Sequence, residues 1–62
     1  MNKSTEHLAT DLDAYLQAAE TKLRTVRFGS TYANMLEELA LAADDITRAA
    51  AILGVLHDRE GA

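Results

Sequence analysis

His57 and Asp58 are adjacent and of the types that ligate metals, but two ligands do not make a site, since a structural zinc takes four. The chain has no cysteine, and its other imidazole, His7, sits near the opposite end. Neither the Glu-x-x-His of di-iron bundles nor the His-Glu-x-x-His of zinc proteases occurs. Glu37-Glu38 and Asp44-Asp45 are paired acids. On a helix, neighbours diverge by about 100°, so neither pair converges as a catalytic dyad. Both read as solvated faces, with Asp44 set to pair with Arg48. A sharper reading makes Glu37, Glu38 and Asp45 an acidic edge that imitates nucleic acid or docks on a basic domain. Lys22, Arg24 and Arg27 are the basic cluster, close to Phe28 and Tyr32, and are the candidate nucleic-acid contact. Their place in the last turns of a helix, where cations suit the dipole, is the cheaper explanation. No glycine-rich phosphate loop is present. The expectation is a protein without catalysis, cofactor or metal.

Composition narrows the classes further. The chain has 62 residues, 48% of them hydrophobic, with no proline and a net charge of −4. A chain this short buries little surface, and small domains compensate with disulfides, metals or oligomerisation. With the first two disfavoured, oligomerisation or folding onto a partner is left. The negative charge gives no general attraction to nucleic acid or anionic membranes. Neither a signal peptide, nor an apolar run of transmembrane length, nor a lipidation motif is evident, so a cytoplasmic protein is expected.

The elements are helices. A first helix is predicted from about Thr5 to Arg27, with Ser4 as N-cap and Leu8, Leu12, Tyr15, Ala19, Leu23 and Val26 as its apolar stripe. Phe28-Gly29-Ser30 breaks the pattern. Gly29 is suited to the left-handed conformation that ends a helix, and Ser30 or Thr31 to capping the next. A second helix is predicted from about Thr31 to Arg59, with the stripe Tyr32, Met35, Leu39, Ala42, Ile46, Ala49, Leu53, Leu56 in alternating steps of three and four.

A short turn makes the helices antiparallel neighbours. Folding the chain at Gly29 sets Leu12 against Ile46, Tyr15 against Ala42 and Ala43, Ala19 against Leu39, and Leu8 against Ala50. Leu12, Tyr15, Leu39, Ile46 and Leu53 are then the expected core. In this register Leu53, Val55 and Leu56 stand opposite Asn2, Lys3, Ser4 and Thr5, which cannot cover them. A side strip of Leu41, Asp45, Arg48, Ile52, Val55 and Leu56 is the expected partner-binding surface. Gly54, four residues after Ala50, would let another backbone approach closely. The fold class expected is all-α: an antiparallel two-helix hairpin, a single domain, dimerising into a four-helix bundle.

In plan and size this hairpin resembles Rop, the plasmid copy-number protein whose dimeric bundle binds RNA loops; that resemblance carries the RNA-binding alternative through Lys22, Arg24 and Arg27. The stretch Ser30-Thr31-Tyr32 followed by Leu36, Leu39 and Ala42-Ala43 is similar to the second helix of a small quorum-sensing anti-activator family of Pseudomonas phages. That resemblance covers about half the chain and transfers no functional residue. It implies a phage or mobile-element protein that inhibits a host target such as a transcriptional activator or defence complex. The expected function is thus a non-enzymatic regulator or inhibitor that is a homodimer and binds a second protein. A structural accessory subunit is a further alternative.

Overall fold

The computed structural model describes residues 4–29 and 31–61. These form two helices, α1 (Thr5–Arg27) and α2 (Tyr32–Gly61), packed as an antiparallel hairpin. The described residues contain no strand.

The termini follow from local chemistry. Ser4 is extended and its hydroxyl accepts from the His7 amide at 3.2 Å, satisfying one of the orphan donors of the first turn. Ser4→Ala should lower the melting temperature, at a cost of about 1 kcal/mol; unchanged melting would mean that this end frays. Glu6 lies in the first turn of α1, with Arg24 and Arg27 in the last, where each charge suits the helix dipole. Thr31 caps α2, its hydroxyl accepting from the Asn34 amide at 3.1 Å. Ser30, the other candidate cap, lies outside the described residues, as do Asn2 and Lys3.

Gly29 fills a different need from the one expected. No described glycine has a positive φ, so Gly29 does not use the left-handed conformation. What Gly29 supplies is room: a Cβ there would stand 2.6 Å from Met35 Cγ and 2.7 Å from the Thr25 carbonyl oxygen. The thioether can swing aside; the backbone carbonyl cannot. Gly29→Ala should therefore destabilise by about 1–2 kcal/mol, readable as a lower urea midpoint.

The register also differs from the expected one. Lys22 meets Asp45, Arg48 lies over Tyr15, and Arg59 Nη1 donates to Thr5 Oγ1 at 3.3 Å. The chain thus folds back beyond Gly29, because Met35 packs under the turn. The end of α2 is consequently level with the first turns of α1, and Leu53 shares a groove with Leu12 and Leu16. The supposed overhang opposite residues 2 to 5 does not exist.

The seam between the helices holds small residues. Its buried apolar members are Ala19, Ala42 and Ala49, with Ala42 fully enclosed, and no large side chain among the described residues is fully buried. Along α2 the seam runs through Met35, Glu38, Ala42, Asp45, Ala49, Ile52 and Leu56, all buried or half-buried. Steps of three and four with a seven-residue repeat keep one line of a helix facing its neighbour. Of the expected core, Leu12 and Tyr15 are half-buried. Leu39, Ile46 and Leu53 are instead 45%, 47% and 57% exposed. Alanines let the backbones approach closely, and close approach leaves no room for the leucines between them, so α2 is rotated and its bulkier residues fall to the side.

Candidate functional site

The rotation of α2 gives the hairpin two unlike long sides. On one, Leu16 and Leu23 of α1 and Leu39, Ile46 and Leu53 of α2 recur at seven-residue steps. Leu12, Leu16, Ile46, Ala49, Ala50 and Leu53 line one continuous apolar groove there. Leu16 and Ile46 also border its extension toward the turn, where Leu23, Glu20, Arg24 and Arg27 form the wall. We call this the leucine face. At the free end, Ala50, Leu53, Gly54, Leu56, His57 and Glu60 outline a shallow notch. A Cβ at Gly54 would meet nothing within 4 Å. In the hairpin alone, Gly54→Ala should raise stability by up to about 1 kcal/mol.

The opposite side follows Leu41, Arg48 and Val55 of α2. Leu41 is 46% and Val55 44% exposed. Between them Arg48 is held in place: its Nε donates to Asp44 at 3.2 Å and its guanidinium lies 5.9 Å from the Tyr15 ring centre. The Tyr15 hydroxyl first, then the Asp44 carboxylate, raise the Arg48 pKa above its ordinary value; an arginine is a cation at neutral pH in any case.

The expected partner strip therefore divides. Leu41, Arg48 and Val55 lie on the outer side. Ile52 and Leu56 are half-buried in the seam, and Asp45 is buried. Lys22 Nζ donates to Asp45 Oδ2 at 2.5 Å, with side-chain exposures of 28% and 13%. This cross-helix pair also removes Lys22 from the basic cluster. Arg24 reaches Glu20 at 3.5 Å, and Arg27 lies 5.1 Å from the Phe28 ring centre. The three cations expected to meet nucleic acid are thus each turned to a partner inside the chain.

Sequence reasoning missed the leucine face because it assigned Leu39, Ile46 and Leu53 to the core. The signal was present: Met35, Ala42, Ala49 and Leu56 repeat at seven, as do Glu38, Asp45 and Ile52, and together these sets define the seam. Among the described residues no group of three or more His, Asp and Glu side chains converges to hold a metal. No described helix is long and apolar enough to cross a membrane. What the surface offers chemically is apolar area with charged rims, suited to another helix. No protein-family model, no characterised protein and no solved structure matches the chain.

Proposed function

We propose that this protein is a non-catalytic, protein-binding regulator or inhibitor that works in the cytoplasm by laying helix faces against other polypeptides. One observation carries the reading. Among the described residues only Ala19, Ala42, Ala49 and Asp45 are buried, while Leu16, Leu23, Leu36, Leu39, Leu41, Ile46, Leu53 and Val55 remain 36–69% exposed. Fully burying a Leu, Ile or Val side chain contributes about 1.5–3 kcal/mol, so this area is the largest reserve of binding free energy in the molecule. A helix face set against a partner helix or groove uses it directly.

The outer strip of Leu41, Arg48 and Val55 is the contact for the second, heterologous protein. Its small apolar area around a fixed cation suits an interface with a charged rim and a modest hydrophobic centre. The similarity of Ser30 to Ala43 to the phage anti-activator helix favours an inhibitor of a host regulator over an accessory subunit.

Leu41→Asp with Val55→Asp tests this. The double variant should keep its helical circular dichroism and lose the protein that the wild-type chain captures from bacterial lysate. Capture that survives both substitutions would sink the assignment of this strip.

A further inference from the structure

We propose that the leucine face is covered by a second copy of this chain, running head to tail, so that Leu16 and Ile46 lie near a two-fold axis perpendicular to the helices. The inference deepens the protein-binding reading and rests on it.

Surface area is the first argument. The chain exposes 4872 Å² at a mass of 6.7 kDa, whereas a compact monomer of that mass exposes about 3,900 Å². The excess, on the order of a quarter, is close to the about 800 Å² that each member of a stable complex buries. The molecule is correspondingly thin, 46 × 19 × 14 Å. A second hairpin laid on its long side would give the compact cross-section of a four-helix bundle.

Periodicity is the second. Leu39, Ile46 and Leu53 on α2, and Leu16 and Leu23 on α1, are each about half covered, on the side toward their own hairpin. Half-coverage repeated at seven residues describes positions that share a bundle core between two layers. The stripe from Leu39 to Leu53 runs about 21 Å along the helix. Its occupant must therefore be an equally long apolar face, and an identical hairpin supplies one.

Self-complementarity is the third. About a two-fold through Ile46, Leu39 of one copy meets Leu53 of the other, with Ala43 and Ala50 flanking the contact. About Leu16, Leu23 meets Ala9. Large residues thus meet small ones on α1, and on α2 small residues flank the leucine pairs. The rims agree: Arg27 at the turn end of one copy comes over Glu6 and Glu60 at the free end of the other. Turns placed side by side would instead gather both pairs of arginines. Asp13 and Glu20, which the head-to-tail arrangement brings near each other, are already engaged by Gln17 and Arg24.

The absence of cysteine makes the test direct. Sedimentation equilibrium of the wild-type chain should give a dimer. Ile46→Cys should form an intermolecular disulfide on mild oxidation far faster than Val55→Cys on the opposite side. Ile46→Asp should weaken self-association roughly a hundredfold, because each dimer loses the contact twice. Should that variant also lose helix, the cysteine pair still decides the face. Arg27→Glu and Glu6→Arg should each weaken the dimer, and the two combined should restore it if the copies run head to tail. A folded wild-type monomer at 100-micromolar-order concentration, or equal oxidation of both cysteine variants, overturns the proposal. Because Leu41→Asp with Val55→Asp leaves this face intact, loss of heterologous capture in a still-dimeric variant separates the two readings. A wild-type monomer that still captures its target, and loses it on Ile46→Asp, would sink the dimer while keeping the binder.

Discussion

Ala42→Leu is expected to unfold the hairpin or drive its helices apart, with a loss of about 3 kcal/mol. Ala42 is fully enclosed between α1 and α2, and Ala49 and Ala19 in the same seam are 4% exposed. Three added carbons have no space there. The backbones would have to separate, which strips neighbouring side chains of their contacts as well. A domain this small has only a few kcal/mol of stability, so the loss is comparable with the whole. Ala51→Leu is the control: it is exposed and points away from the seam, and such substitutions stay within about 0.5 kcal/mol. Thermal melts followed by circular dichroism decide the matter. If the two variants melt together, the alanine seam is not what joins the helices.

Breaking the Lys22–Asp45 pair should have the second largest effect. Asp45 is 9% exposed and is the buried charged residue among those described. Lys22→Met would leave its carboxylate among apolar neighbours with its cation gone, a change that costs about 1–3 kcal/mol for a partly sheltered group. Adding Asp45→Leu should recover most of that loss, since well-packed apolar residues can replace a buried ion pair with little change in stability. Urea titration of wild type, single and double variants completes the cycle. A single variant as stable as wild type would show that water, not Lys22, satisfies Asp45. The pair also pins register: a slip of one helical turn would place a charge against Ala42 or Ala49. This polar contact thus selects one alignment between two otherwise smooth alanine surfaces.

The register is set by packing at the turn. Folding the chain at Gly29 treats the turn as a point. In the structure the first turn of α2 tucks Met35 beneath Gly29, and the helices meet several residues further along than a point turn allows. No rule of spacing predicts that tuck, because it depends on the volume left by an absent Cβ. The same holds for core assignment. Leu39, Ile46 and Leu53 form as regular a stripe as the true seam, and periodicity ranks the two by hydrophobicity. The structure ranks them by how closely two backbones can approach. Val55 is exposed because α2 is rotated, not because α1 is too short to reach it.

Helix propensity, capping by Ser4 and Thr31, and an unbroken three-four apolar rhythm are local properties, so the residues alone determined two long helices and their antiparallel hairpin. Which side of each helix is inside was decided only on packing, where alanines at the seam permit a separation that leucines forbid. That choice turned Asp45 from a candidate contact into the partner of Lys22, and turned the presumed core of Leu39, Ile46 and Leu53 into the apolar face the hairpin offers to a second chain.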